Sequence, residues 1–259
     1  MKLVTWNVNS LNARLPRVLE FLELHAPDVA CLQETKCEPD AFPARELADV
    51  GYAAAHHSVG RWGGVAILAR QGLPLGDAIA GLPGEHRTEE ARWIEATAGD
   101  LRVASTYVTN GRAVGTPTFD EKLAFLDAMR ERLAGEGAPA LVAGDFNVAP
   151  ADLDVYDPEA FVGSTHVTDA ERSRLQGILD DGYVDAFRAV NGPEAVQHTW
   201  WDYRQGHFHR GMGLRIDLVL VRADLAAGLR HCGIERDFRK GAKPSDHAPL
   251  VVDVRREVS

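Results

Sequence analysis

The sequence predicts an α/β fold with mixed β-sheets, and three features carry that prediction. Leu3-Val4-Thr5-Trp6, an apolar stripe at Leu15, Val18, Leu19 and Leu22, and Val29–Gln33 form a strand–helix–strand unit whose length implies a crossover between neighbouring strands. Arg92–Ala98 and Leu101–Tyr107, split by Gly99-Asp100, have the pattern of a hairpin, which is antiparallel. Ala140-Leu141-Val142-Ala143 is a short continuous apolar run, the mark of a buried strand, and it turns abruptly into Gly144-Asp145-Phe146-Asn147.

Taken in order, the first strand leads through Ser10-Leu11-Asn12, which offers helix caps, into a helix reaching about Leu24 and ended by Pro27. After Val29–Gln33, Phe42–Val50 reads as a short helix. Tyr52–His57 and Gly64–Ala69 read as paired strands around the glycine-rich Gly60-Arg61-Trp62-Gly63-Gly64. Phe119–Leu133 is an amphipathic helix through Leu123, Phe125, Leu126, Met129 and Leu133, closed by Gly135–Pro139. Pro150–Thr168, polar and rich in Asp and Pro, is a long functional loop before a helix over Asp169–Leu179. Asn191–Gly213 is a second irregular stretch and contains Trp200-Trp201-Asp202-Tyr203; Leu214–Val221 and Pro249–Val254 supply the last strands.

A chain of 259 residues, 45% apolar and 25% charged, has the globular balance. One domain over 1–259 is expected, with no disorder before the last few residues. No apolar run approaches a bilayer span and no signal-peptide core follows Met1, so a soluble, cytoplasmic protein without membrane contact is expected. Cys31, Cys37 and Cys232 form no CxxC pair and leave an odd count, against a disulfide framework. The net charge of −10 opposes nonspecific attraction to polyanions. Any nucleic-acid contact must therefore be local. The basic run Arg236, Arg239-Lys240 and Lys243 is one candidate, and Arg204, His207, His209, Arg210 and Arg215 are another.

Polar groups recur where strands end: Asn7 and Asn9, Glu34, Tyr107, Asp145 and Asn147, Asp217, Asp246 and His247. On extended backbone Asp145 and Asn147 would share a face; the alternative is an Asx turn closing the strand. Carboxylate and amide oxygens suit magnesium or manganese, whereas a zinc site would draw on His207 and His209 or on His56-His57, neither pair in a known ligand spacing. A carboxylate that fixes a histidine tautomer recurs in phosphoester and acyl chemistry, and Asp217 with His247 fits that arrangement.

In order along the chain, Trp6-Asn7-Val8-Asn9-Ser10, Leu32-Gln33-Glu34-Thr35-Lys36, Gly63-Gly64-Val65-Ala66, Gly144-Asp145-Phe146-Asn147, Leu214-Arg215-Ile216-Asp217 and Ser245-Asp246-His247 resemble the exonuclease III family of abasic-site endonucleases. The resemblance runs from residue 2 to about 254. It implies a four-layer α/β sandwich of the endonuclease/exonuclease/phosphatase superfamily, two mixed sheets face to face with helices outside and the site at one edge. It implies that Glu34 holds the metal, helped by Asn7 and Asp246, with Asp145, Asn147 and His247 in the same metal environment. Tyr107 and Asn147 would bind the scissile phosphate, Asp145 would position or deprotonate the attacking water, and Asp217 would orient His247. The choice of Asp145 or His247 as base stays open.

Arg112 would touch substrate, and Trp200, Leu214 and Ile216 match positions that line an apolar pocket for a flipped-out abasic sugar. The implied enzyme is a magnesium-dependent hydrolase, with manganese as substitute, acting as a monomer on duplex DNA with abasic sites or 3′ ends. Its activities would be cleavage 5′ to abasic sites, removal of 3′-blocking groups and 3′-phosphates, and 3′-to-5′ degradation. Two departures stand out: Thr109 replaces the proline usual in relatives, removing a constraint on the loop through Arg112, and Asn9 stands where some animal relatives have aspartate. The rivals are a superfamily phosphatase acting on a small phosphoester, and a non-catalytic DNA-binding module. Trp200–Tyr203 and the run Arg236–Lys243 speak against the first, and the intact acids and His247 speak against the second.

Overall fold

The computed structural model describes residues 1–85 and 87–255. The expected disorder at the last few residues falls mostly outside that range. Along the chain run β1 (Lys2–Asn7), α1 (Leu11–His25), β2 (Val29–Gln33), α2 (Ala44–Asp49), β3 (Tyr52–His57), β4 (Val65–Arg70), β5 (Leu75–Ala80), β6 (Trp93–Ala98) and β7 (Leu101–Tyr107). There follow α3 (Pro117–Ala134), β8 (Leu141–Asp145), α4 (Asp169–Asp180), β9 (Tyr183–Asp185), α5 (Ala186–Asn191), α6 (His207–Arg210), β10 (Asp217–Arg222), α7 (Ala223–Ala226), β11 (Leu229–Ile234) and β12 (Leu250–Val254).

The strands form two six-stranded sheets, ordered β11-β12-β1-β2-β4-β3 and β5-β6-β7-β8-β10-β9. β1 and β2 are parallel, as are β7 and β8, and the other pairs are antiparallel, so both sheets are mixed. The period-2 alternation of strand side chains builds the layers. Leu3, Val29, Cys31 and Ile67 of one sheet meet Ile94, Val103, Ala143 and Val219 of the other in the central core. Their neighbours Val4, Trp6, Ala30 and Leu68 face outward onto Val18, Phe21 and Leu22 of α1. On the far side Ala104, Val142 and Leu218 lie under Phe125, Leu126 and Met129 of α3 and Leu175 and Ile178 of α4. This is the four-layer α/β sandwich, and it explains why the central strands read as continuous apolar runs.

The elements that the sequence pattern left unread lie toward the sheet edges. Five of the six residues of β5 are exposed and its pairing slips between Gly76 and Ile79; β11 slips between Leu229 and His231. An edge strand packs little side-chain surface, so its sequence carries little alternation. The strand expected from Leu214 begins at Asp217, because the Arg215 N–H is drawn instead to the Asp154 carbonyl at 2.8 Å. Ser10 stands at the N-cap of α1 but its side chain makes no cap bond.

Candidate active site

Strand register assembles the site. Asn7 at the end of β1 pairs with Gln33, directly before Glu34, and Tyr107 at the end of β7 pairs with Asp145 at the end of β8. Asp145 also opposes Asp217, the first residue of β10. The two parallel pairs therefore bring their C-terminal ends to one edge of the sandwich. The Ser245–His247 loop is tied to the same edge: Ser245 Oγ donates to the Asn7 carbonyl at 2.7 Å, and Trp6 Nε1 donates to the His247 carbonyl at 3.1 Å. Gly144 is required for the approach of β7 and β8, since a Cβ there would lie 2.0 Å from the Thr106 carbonyl oxygen.

The fully buried Asn7 amide bridges the two carboxylates, its Nδ2 donating to Glu34 Oε1 at 2.8 Å and to Asp145 Oδ2 at 2.9 Å. Its Oδ1 accepts from the Asn9 N–H at 3.0 Å. Asn7 thus acts here by spacing the two acids. His247 Nδ1 lies 2.8 Å from Asp217 Oδ2, and its Nε2 faces Asp145 Oδ2 at 3.7 Å. Among the described residues, Glu34, Asp145 and His247 bring one ligand atom each within 4.8 Å of one another, a donor set dominated by carboxylate oxygen that fits a hard divalent ion. The histidines of the zinc alternative are elsewhere: His56 stacks on Phe42 and His57 Nδ1 lies 3.1 Å from the Trp93 carbonyl.

Burial pulls the His247 imidazole down, but Asp217 and Asp145 outweigh it and raise its pKa to about 10. Burial pushes the Asp145 carboxyl up to about 7, against the pull of His247. For Tyr107, burial followed by the charges of Glu34 and Asp145 raises the phenol well above its usual range, so it stays neutral and can donate. The guanidinium carbon of Arg92 lies 4.9 Å from the Tyr107 ring centroid.

Several expected residues are placed differently. Asn147 is not on extended backbone: β8 stops at Asp145, Asn147 has φ +51°, and its N–H donates to Asp145 Oδ1 at 2.9 Å. The Asx turn is the geometry found, and it points the Asn147 amide at the Val108 carbonyl (2.8 Å) and toward Asn110 (3.4 Å), outside the Glu34–Asp145–His247 group. Asp246 is likewise committed, Oδ1 to Asn9 Nδ2 and Oδ2 to Trp200 Nε1, both at 3.0 Å. An aspartate at position 9 could not make the first of these bonds. Trp200, Leu214 and Ile216 do come together, with Val155 and Ala149, but Leu214 is 0% and Ile216 3% exposed, so of these three only Trp200 retains surface, as do Tyr156, Phe161 and Val167 of the same cluster.

The basic run is also different from its sequence reading. Arg239 is buried, with its guanidinium 4.8 Å from the Tyr203 ring and 5.3 Å from that of Phe208. Arg236 stacks over Phe208 and donates to its carbonyl. Lys240 pairs with Asp237. Cationic surface lies instead around a cavity of about 520 Å³ beside Glu34 and Tyr107, lined by Lys36, Trp62, Arg87, Arg92 and Arg112 among others. Arg87 and Arg92 are neutralised by Glu89, Glu90 and Glu121, whereas Arg112, and Arg61 whose guanidinium lies 5.2 Å from the ring of the lining Trp62, are exposed and carry no ion pair among the described residues. Lys36, which bonds both Glu34 (2.5 Å) and Asn9 (2.7 Å), and the exposed Trp62 were not singled out by sequence reasoning, although both stand within quoted motifs or beside them.

The family profile described as "Endonuclease/Exonuclease/phosphatase family" matches residues 4–247. The chain belongs to that family. Within it, the chain is 33% identical to exodeoxyribonuclease III of Haemophilus influenzae over 96% of its own length and 98% of the relative's. Among solved structures, a 3′ phosphatase, NExo, from Neisseria, bound to a product DNA hairpin, superposes with a TM-score of 0.95 at 39% identity, covering 99% of this chain and 100% of that one. An AP endonuclease from Archaeoglobus fulgidus superposes with a TM-score of 0.93 at 32% identity, covering 98% and 99%. The family membership makes the chain a hydrolytic nuclease similar to exodeoxyribonuclease III. No helix among the described residues is long and apolar enough to cross a membrane.

Proposed function

We propose that this protein is a magnesium-dependent DNA-repair phosphoesterase, with manganese as substitute, that acts as a cytoplasmic monomer on duplex DNA and serves 3′-end clean-up before abasic incision. The observation that carries the reaction class is the Glu34–Asp145–His247 group, spaced by Asn7 and backed by Asp217. Of the three positions expected to line a pocket for a flipped sugar, Leu214 and Ile216 are buried and Trp200 alone is partly exposed, which favours 3′ ends over abasic sites. The similarity to a 3′ phosphatase supports the same order.

A divalent ion held by Glu34 and Asp145 would supply Lewis-acid stabilisation to the phosphate. The chain supplies the rest. Neutral Tyr107 and the amides of Asn110 and Asn147 donate to phosphate oxygens, and Asp145, placed beside His247, takes the proton of the attacking water. His247 is kept in its charged form by Asp217, so it serves as a donor to developing charge and not as the base. Attack at phosphorus forms a P–O bond to the water oxygen and breaks the bond to the 3′-oxygen, which takes a proton from solvent and leaves as a 3′-hydroxyl.

The test compares a duplex bearing a 3′-phosphate, a recessed 3′-hydroxyl end and a single abasic analogue. The 3′-phosphate substrate is expected to turn over fastest, with chelator abolishing and magnesium restoring all turnover. Preference for a small phosphomonoester over every duplex would overturn the DNA assignment and favour the small-molecule phosphatase.

Duplex binding is expected to be steeply salt-dependent despite the acidic total, because phosphate contacts release counterions locally. Each phosphate neutralised contributes about −0.9 to the log–log slope, so removing Arg61 and Arg112 together should flatten it by up to ~1.8. Lys240→Ala should leave it unchanged. An unaltered slope in the double variant would move the DNA face away from the cavity beside Tyr107.

A further inference from the structure

Lys122 projects from α3 to the back of the Asn147 turn and is fully buried. Its ammonium donates to the Asn147 carbonyl at 2.7 Å, to Thr165 Oγ1 at 3.0 Å and to the Asn110 carbonyl at 3.3 Å, and pairs with Glu171. These oxygens come from four segments: the turn after β8, the loop before α4, the turn after β7, and the first turn of α4. Glu171 closes the network, its Oε1 accepting from the His166 N–H at 2.8 Å and its Oε2 from the Thr168 N–H at 3.0 Å. A buried ammonium is tolerated only when its donors are all met, so the oxygens and the lysine fix one another.

Two backbone features are shaped to this arrangement. Gly111, at φ +82°, passes so near that a Cβ there would lie 2.9 Å from Lys122 Cδ and 3.1 Å from Thr165 Oγ1. Asn147, at φ +51°, is bonded at its N–H by Asp145, at its side chain by Val108 and at its carbonyl by Lys122 and by His166 Nδ1 at 2.6 Å. The loop through Arg112 is anchored at the Asn110 carbonyl by Lys122 and Thr165.

We propose that Lys122, paired with Glu171, is a positioning residue that sets Asn147 and the 110–112 turn against the reacting phosphate. The proposal rests on the reading that Asn147 handles that phosphate. The pair is tested as Lys122→Met with Glu171→Gln, which removes both charges together, using the full chain with magnesium and a 3′-phosphate duplex. Turnover should fall roughly 30–100-fold, since a small misplacement at the reacting centre has effects of that order, with KM changed by less than about threefold. In an Asn147→Ala background the same pair should cost several-fold less than it does in the wild type, because the part of its effect that runs through the Asn147 side chain is already lost and only the part through the 110–112 turn remains.

Thr165→Val, which keeps both charges and removes one acceptor, is the milder variant; its kcat should fall about fivefold with melting temperature and KM retained. Unchanged kcat in Thr165→Val, or losses that multiply fully with Asn147→Ala, overturn the positioning role. Unchanged turnover in Asn147→Ala alone overturns the phosphate reading of Asn147 and this proposal with it.

Discussion

Glu34→Ala is expected to lose roughly 10²–10³ of its turnover at sub-millimolar magnesium, since removing a carboxylate ligand weakens an ion whose Lewis-acid stabilisation amounts to several kcal/mol. Raising magnesium should recover part of the rate, and the fold should persist, because Glu34 lies outside the three large apolar clusters. A second readout is independent of activity. Magnesium should raise the melting temperature of the wild-type protein by relieving repulsion between Glu34 and Asp145, and should do so little in Glu34→Ala. The Asp145 carboxyl is raised to about 7, so a proton competes with the ion below that pH; the metal-induced gain should therefore grow as pH rises from 6 to 8. Near-normal rates for Glu34→Ala at sub-millimolar magnesium, with an unchanged metal-induced shift, would remove Glu34 from the role of principal ligand.

Asp217→Asn is expected to lower single-turnover rates by roughly 10²–10⁴ with little change in DNA affinity, because an amide can present its N–H₂ to His247 Nδ1 and leave the ring in the wrong tautomer or orientation. The carboxylate is fully buried and makes its 2.8 Å contact with His247 rather than with any surface that DNA reaches. Losing the nearest negative charge should also lower the His247 pKa from about 10, which a proton titration of the imidazole resonance reads directly. Equal losses in rate and in affinity, or an unmoved His247 titration, would assign Asp217 a structural role instead.

The local pattern of the chain determined its central strands and the members of its site. Val29–Gln33 and Leu101–Tyr107 have the boundaries their apolar runs suggest, because a central strand buried on both faces is mostly apolar, and Tyr52–His57 keeps its expected bounds although it is an edge strand buried only at Tyr52. Glu34, Asp145 and Asp217 stood out as acids where apolar runs end, and register brings those ends together, whereas His247 was singled out through the family resemblance. Tertiary structure alone decided which polar groups gather beside Glu34 and Asp145 and which are occupied elsewhere. Asn147 leaves the strand because its N–H is captured by Asp145; Arg239 is buried because Tyr203 and Phe208 close around it; Lys122, a lysine on an amphipathic helix, is fully buried because Asn110, Asn147, Thr165 and Glu171 meet its ammonium. A charge is stable in the interior only through partners that lie far away along the chain, and no periodicity of the sequence records where those partners will be.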